Sequence, residues 1–299
     1  MVRTSLGTQM INIDQWTITS AVLEAHRGAA NARLREILDS LVRHLHDFAR
    51  EVHLTEAEWT AGIDFLTRVG HITDDKRQEF ILLSDVLGLS TLVTAQNNSK
   101  PAGCTEATVF GPFFVADAPQ YRNGDDISNG AKGEPCFVSG VIRGFGGEFI
   151  PHARIDVWQS DDEGFYDVQR PGLDAMQGRG QLTSLEDGRF FFRSIVAEPY
   201  PIPHDGPVGQ LLERLGRHPW RPAHLHFMIQ APGYDTLITH VFRSGGTYLD
   251  SDAVFGVRSS LVADWVGHES GTAPNGQRLN TPFHTLKYDF VMHPTARND

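Results

Sequence analysis

The segment Arg221-Pro222-Ala223-His224-Leu225-His226-Phe227-Met228-Ile229 holds the residues best suited to chemistry. It is rich in branched and aromatic side chains and has no Gly or Pro after Pro222, so it reads as a β-strand. Strand side chains alternate faces, so His224 and His226 project together while Leu225 and Phe227 point the other way. Each neutral imidazole offers one lone pair, and two of them on a rigid strand make half of a metal site. The chain has 14 histidines in 299 residues, so such a pair also arises by chance, as core or solvent-facing side chains. The remaining donors decide between these readings. The two cysteines, Cys104 and Cys136, are scattered, and neither belongs to a Cys-x-x-Cys arrangement. Carboxylates are candidates, as in the two-His, one-carboxylate sites of Fe(II) oxygenases. Two of the six tyrosines stand in unusual settings. Tyr166 follows a predicted strand within Gly164-Phe165-Tyr166-Asp167, and Tyr200 lies between Pro199 and Pro201, which restrict the backbone. A loop tyrosine that packs its ring and donates one hydrogen bond would sit in the same way.

The elements that must position these residues change character near residue 100. Upstream, Leu34, Ile37, Leu41, Leu45, Phe48 and Val52 recur every three or four residues, marking one face of a long amphipathic helix. Thr55-Glu56-Ala57-Glu58 reads as a capping box opening a second helix with Trp59, Ile63 and Leu66 on its apolar face, and Gly70 as its stop. A third helix is expected from about Asp75 to Thr94, ended by Asn97-Asn98-Ser99-Lys100-Pro101. Downstream, Cys136–Ile142, Ala153–Ser160, Arg189–Val196, His224–Gln230 and Thr236–Phe242 are candidate strands, punctuated by Gly- and Pro-containing turns. Asn275-Gly276 marks a late hairpin tip. Short strands without long helices between them indicate a sandwich or barrel rather than a doubly wound sheet. The expected architecture is α+β: a helical N-terminal domain over residues 1–104, then a β-sandwich catalytic domain over residues 105–299.

Composition narrows the class. Asp and Glu outnumber Lys and Arg by 37 to 26, a formal net charge of −11, which argues against nucleic acid or an anionic membrane as partner. No stretch is long enough to span a bilayer, and Met1–Gly7 lacks an apolar signal-peptide core. With only two cysteines, a reduced, cytoplasmic setting is expected.

Taken together, Tyr166, Tyr200, His224 and His226, with Arg221 three residues before the first His, resemble the intradiol ring-cleaving dioxygenases. The likeness runs in order through Gly140-Val141-Ile142, Asp156-Val157-Trp158-Gln159, Gly164-Phe165-Tyr166, Gly188-Arg189-Phe190, Glu198-Pro199-Tyr200-Pro201-Ile202-Pro203 and Arg221 to Phe227, covering most of residues 105–260. Glu106 to Phe113 resembles the family's lead-in to the catalytic domain, and the helical N-terminus resembles the branch acting on catechols, chlorocatechols and hydroxyquinol. The resemblance implies one mononuclear non-haem Fe(III) per chain, held by Tyr166, Tyr200, His224 and His226. Phenolate suits ferric iron as a hard anionic donor, and the cation would deprotonate a phenol of ordinary pKa about 10. Zinc is the runner-up metal, though it more often takes Cys, His and carboxylate. In the implied mechanism an aromatic 1,2-diol chelates the metal and displaces Tyr200, taken as axial opposite His226, while Tyr166 and His224 are equatorial. The freed Tyr200 phenolate accepts a diol proton, and Arg221 stabilises negative charge developing on the substrate. Arg221 in a structural ion pair is the other reading. His240, in Thr239-His240-Val241-Phe242, stands where catechol-type relatives tend to carry Gln, and either assists catalysis or shapes the pocket wall.

Substrate preference then rests on residues around the metal. Leu82 and Asp85 fall on the third helix, which in the family reaches over the pocket, where simple catechol enzymes tend to have an apolar residue or Pro near Asp85. A carboxylate there can accept a hydrogen bond from a third ring hydroxyl; an ordinary solvent-facing or Arg-paired helix carboxylate is the alternative. Val109, Gly111, Pro112, Phe113 and Val254 are the expected pocket walls, or else ordinary core. Tyr248 to Val257 resembles the hydroxyquinol and chlorocatechol branches more than the catechol one. The expected reaction is cleavage of hydroxyquinol (benzene-1,2,4-triol) by O2 to 3-hydroxy-cis,cis-muconate, the enol of maleylacetate. Catechol or chlorocatechol cleavage is the alternative within the fold, and a non-catalytic β-sandwich binding module the alternative outside it. The family likeness further implies a homodimer through the N-terminal helices, with a channel that holds phospholipid tails. Packing on the chain's own β-domain would explain the same apolar helix face.

Overall fold

The structure, a computed structural model, describes residues 11–74 and 77–295. Its helices are α1 (Ile18–Ala25), α2 (Ala32–Glu51), α3 (Glu56–Ile72), α4 (Glu79–Val86), α5 (Leu89–Asn97) and α6 (Pro207–Arg214). The strands are β1 (Pro135–Gly144), β2 (Arg154–Gln159), β3 (Arg179–Thr183), β4 (Arg189–Ile195), β5 (Tyr200–Pro201), β6 (Trp220–Arg221) and β7 (His224–Gln230). They continue with β8 (Leu237–Arg243), β9 (Val262–Ala263), β10 (Trp265–His268), β11 (Gly271–Thr272), β12 (Arg278–Leu279), β13 (Phe283–Lys287) and β14 (Phe290–Met292). The chain divides into two compact units between Thr67 and Arg68. The textural change near residue 100 is therefore not the boundary of compactness, because α4 and α5 lie within the unit that contains the sheets.

In the first unit, α2 begins where the Asn31 side chain accepts a hydrogen bond from the Leu34 N–H at 2.9 Å. Helix α3 begins with the expected capping box: the Thr55 N–H donates to Glu58 Oε2 at 2.9 Å, and the Glu58 N–H donates to Thr55 Oγ1 at 3.3 Å. No residue of α2 is buried, and its row from Leu34 to Val52 stands about half exposed.

Two expectations fail in the helices. Gly70 does not end α3, which runs on to Ile72; a lone Gly costs a helix only about 1 kcal/mol and need not stop it. The expected third helix is instead two, α4 and α5, bent by 79°. Gly88 between them takes the left-handed conformation, φ 76°, which breaks the helical path at a residue without a Cβ. The expected start near Asp75 lies outside the described residues. No single helix among the described residues is long and apolar enough to cross a membrane.

In the second unit two five-stranded sheets form a sandwich. One has the order β3-β2-β7-β8-β9; the other runs β10-β13-β1-β14, with β4 also paired to β1. Ile155, Val157, Leu225, Phe227, Ile229 and Val241 of the first sheet meet Val138, Ile142, Phe190, Phe192, Leu286 and Phe290 of the second in one core. This face is the apolar half of the alternation, which forces Trp158, His224, His226 and His240 onto the opposite face of the first sheet. Asn275-Gly276 is the tip of the β11–β12 hairpin, as expected from its turn chemistry, with Gly276 at φ 83°. Strand β3 and the C-terminal strands were not foreseen. Short strands such as β14 carry too few residues to show a period, and β13 and β14 pair in parallel with β1, far away in sequence.

Candidate metal centre and substrate cavity

Register builds the centre of the site. On the outer face of the first sheet, Trp158 of β2 pairs with His226 of β7, which pairs with His240 of β8. The Trp158 and His226 rings stack with centroids 4.7 Å apart at 16°. His224 leans back on its own loop, its Nδ1 2.7 Å from the Pro222 carbonyl oxygen. That carbonyl can only accept, so the His224 proton sits on Nδ1 and the lone pair on Nε2. His224 Nε2 faces His226 Nε2 at 3.1 Å.

The tyrosines arrive from two loops. Tyr166 follows β2, and its Oη lies 2.9 Å from His226 Nε2. Tyr200 in β5 pairs with Arg221 in β6, so the short β5–β6 ribbon sets the phenol beside the guanidinium. Arg221 Nη1 donates to Tyr200 Oη at 3.2 Å. The two phenol rings meet edge to face at 5.1 Å. Gly164 makes their approach possible: at φ 80°, a Cβ there would lie 2.6 Å from the Pro199 carbonyl oxygen. Sequence reasoning singled out Tyr166, Tyr200, His224, His226 and Arg221, and the structure brings all five together, each almost wholly buried.

Burial sets the electrostatics. Desolvation, reinforced by the Arg221 charge, holds His224 down at a pKa of about 3. Desolvation and the neighbouring His224 hold His226 well below its ordinary value, so both rings are neutral lone-pair donors. Desolvation, with Tyr200 close by, pushes the Tyr166 phenol well above its ordinary value. Burial works against the Arg221 charge, but the Asp252 carboxylate and the two tyrosines hold its pKa above normal. The donor set of two neutral imidazoles and two phenols converging beside a buried guanidinium suits a hard, highly charged cation. Such an ion would satisfy the facing lone pairs and displace the phenol protons.

Several residues that hold this arrangement were not legible in the sequence. Asp252 accepts from Arg221 at 3.0 Å (Nε to Oδ1) and 3.3 Å (Nη2 to Oδ2), and also accepts from the backbone N–H groups of Val254 and Gly256. The buried Arg179 clamps Asp167, next to Tyr166, and donates to the Phe113 carbonyl at 2.8 Å. Phe113 in turn stacks on Tyr166 at 4.3 Å. Buried charges far apart in sequence are the only signal these residues offered, and without a register that signal names no partner.

A cavity of about 190 Å³ opens above Tyr200 and Arg221. Its walls include Leu82, Asp85, Val109, Gly111, Pro112, Phe113 and Val254, all the residues expected to contact substrate. Asp85 is only 7% exposed and does not face solvent. Desolvation raises its pKa, opposed by a Ser90 hydrogen bond and the Arg221 charge. His240 is absent from the cavity lining and sits behind His226, its Nε2 2.8 Å from His226 Nδ1. The ring nitrogens of His224, His226 and His240 form a buried cluster within 4.8 Å of one another.

Comparisons with known proteins bear on the family and the fold. Residues 31–105 match the family model for the catechol dioxygenase N terminus, and residues 109–294 match the dioxygenase domain model. The chain is 60% identical over 286 residues to a 6-chlorohydroxyquinol 1,2-dioxygenase of Cupriavidus pinatubonensis, covering 96% of this chain and 100% of that one. It is 49% identical to a hydroxyquinol 1,2-dioxygenase of Nocardioides simplex, over 93% of this chain and 94% of that one. The solved structure of a hydroxyquinol 1,2-dioxygenase from Pseudomonas putida DLL-E4 superimposes with a TM-score of 0.88 at 44% identity, covering 94% of this chain and 98% of that one. With both domain models matched in order and the sandwich carrying the converging donors, the chain belongs to the intradiol ring-cleaving dioxygenases of the catechol dioxygenase type.

Proposed function

We propose that this enzyme cleaves hydroxyquinol with O2 to 3-hydroxy-cis,cis-muconate at a single Fe(III) held by Tyr166, Tyr200, His224 and His226. The convergence of these four donors beside Arg221 is the observation that carries the reading. Ferric iron, when bound, would supply Lewis acidity and draw electron density from a chelated diol. Tyr200 is the ligand that lines the cavity, so its phenolate oxygen is placed to accept a proton from an entering diol. Arg221, held by Asp252, donates from Nη1 to the same oxygen and stabilises negative charge on the substrate.

The substrate follows from Asp85. It is a buried carboxyl on a cavity wall otherwise built largely from apolar residues, where each hydrogen bond to it counts. A third ring hydroxyl adds a hydrogen bond to those Asp85 already has from within the chain, one that catechol cannot make. The names of the relatives from Cupriavidus pinatubonensis and Nocardioides simplex point to the same substrate class. Oxygen uptake on hydroxyquinol, catechol and chlorocatechols, measured side by side, is expected to favour hydroxyquinol. Asp85→Leu is expected to cut the hydroxyquinol-to-catechol ratio of kcat/KM by about 10–100-fold, the worth of a charge-assisted hydrogen bond. Catechol turnover at or above that of hydroxyquinol in the parent enzyme would overturn the substrate assignment, and an unchanged ratio in the variant would remove Asp85 from it.

The half-exposed apolar row on α2 fits a homodimer through the N-terminal helices, with lipid tails taken up between the copies. Sedimentation giving a monomer mass would count against it. Cys104 and Cys136 are free thiols, in keeping with a reducing, cytoplasmic compartment.

A further inference from the structure

A buried hydrogen-bond chain leads away from the candidate metal centre, on the side opposite the tyrosines. His226 presents Nε2 to His224 and Tyr166, and its Nδ1 lies 2.8 Å from His240 Nε2. His240 Nδ1 lies 2.8 Å from Thr108 Oγ1, and the Thr108 N–H donates to the Ile238 carbonyl at 2.9 Å, which ties the end of the chain to β8. His226, His240 and Thr108 are all buried. The rings of His226 and His240 stand edge to face at 4.2 Å, a geometry set by their cross-strand pairing.

This chain has two possible directions. In one, His226 carries its proton on Nδ1 and donates it to His240 Nε2, and His240 donates from Nδ1 to the Thr108 hydroxyl. His226 Nε2 then shows a lone pair to the other donors. In the reverse direction, Thr108 donates to His240, and His240 donates to His226 Nδ1. That places the His226 proton on Nε2, aimed at His224 and Tyr166, where a cation would have to bind. An imidazole ligand keeps its metal-binding tautomer and orientation through the hydrogen bond made by its other nitrogen.

Resting on the ferric reading above, we propose that His240 is a positioning residue that holds His226 as an Nε2 donor, with Thr108 closing the chain. His240 therefore acts through His226 and does not touch the substrate, in accord with its absence from the cavity wall. This also separates it from the metal ligands despite its place in the three-histidine cluster: its Nε2 is taken up by His226 Nδ1, on the far side of that ring from Nε2.

The test compares His240→Leu, His240→Gln and Thr108→Val in the full-length, iron-loaded protein. Leu removes both polar atoms. Gln restores them, with an amide oxygen to accept from His226 and an NH2 to donate to Thr108. Val keeps the shape of Thr108 and removes the hydroxyl. The readouts are the rate of iron loss to a chelator, the visible charge-transfer band, and the melting temperature of the metal-free protein. His240→Leu is expected to release iron about 10–100-fold faster than the parent, with a weakened band, and His240→Gln to recover most of both. Thr108→Val is expected to move both readouts in the same direction by less, and serves as the test if the Leu variant does not fold. Iron release at the parent rate in both the Leu and Val variants overturns the proposal. Equal loss in Leu and Gln, tracking a lower melting temperature, also overturns it by making the role one of packing alone. A parent protein that takes up no iron and develops no band would instead refute the ferric reading itself.

Discussion

Tyr200→Phe protein reconstituted with iron is expected to lose most of its colour and to cleave hydroxyquinol about 10²–10⁴-fold more slowly. The substitution keeps the ring that contacts Phe113 and Tyr166 and removes only the oxygen facing Arg221 and the cavity. On the proposed reading that oxygen is both an anionic donor and the acceptor of a diol proton, so both spectrum and turnover should respond. Tyr166→Phe tests the other phenol by a separate route. Burial, with Tyr200 beside it, holds the Tyr166 phenol well above its ordinary pKa, so the metal-free protein keeps it protonated at neutral pH. Iron uptake must then displace that proton, and apparent iron affinity should rise with pH. In weakly buffered solution, Tyr166→Phe should release about one proton fewer per iron bound than the parent. Equal proton release, or a full-strength band in both variants, would show that the phenols are not ligands.

Asp252→Asn is the substitution expected to cost the most stability. Arg221 and Asp252 are both buried, and the carboxylate also takes two backbone N–H groups of the loop that carries Val254. Removing one charge leaves the other uncompensated in a low-dielectric interior, a loss of about 3–5 kcal/mol. Denaturant unfolding of the metal-free protein would measure it. Turnover should fall as well, because Arg221 loses one of the two hydrogen bonds, and the opposing charge, that aim it at Tyr200. The pH dependence has a definite sign. Desolvation is the largest single effect on Asp252 and opposes its ionisation, but the Arg221 charge, its hydrogen bonds and the Gly256 N–H together outweigh it and place the folded pKa below the ordinary value. Its contribution is therefore complete above the unfolded carboxyl pKa of about 4 and is lost as pH falls through the lower folded value. The Asn variant should lack that acid-side loss. Arg221→Leu combined with Asp252→Leu should recover much of the stability while remaining inactive, which would separate the pair's structural cost from its catalytic use. A stable, fully active Asp252→Asn enzyme would show that Arg221 is positioned by other means.

How much of this was readable in the chain depended on range. The boundaries of β7 were read as found, from His224 to Gln230, because alternation is a property of adjacent residues. The same locality made the capping box at Thr55 and Glu58 and the turn at Asn275-Gly276 visible. Gly88 escaped notice because a glycine within an apolar helical run does not announce whether the path will bend.

By itself, the sequence determined that His224 and His226 share a face, that helices precede strands, and which residue types could serve a cation. Only the tertiary structure decided that His240 backs His226, that Asp252 holds Arg221, that Arg179 secures the Tyr166 loop, and that Asp85 turns inward to the cavity. Those pairings join residues from separate strands, helices and loops, and they depend on cross-strand register and loop closure. Both are set by the burial of one core shared between two sheets, and no short window of the sequence contains that information.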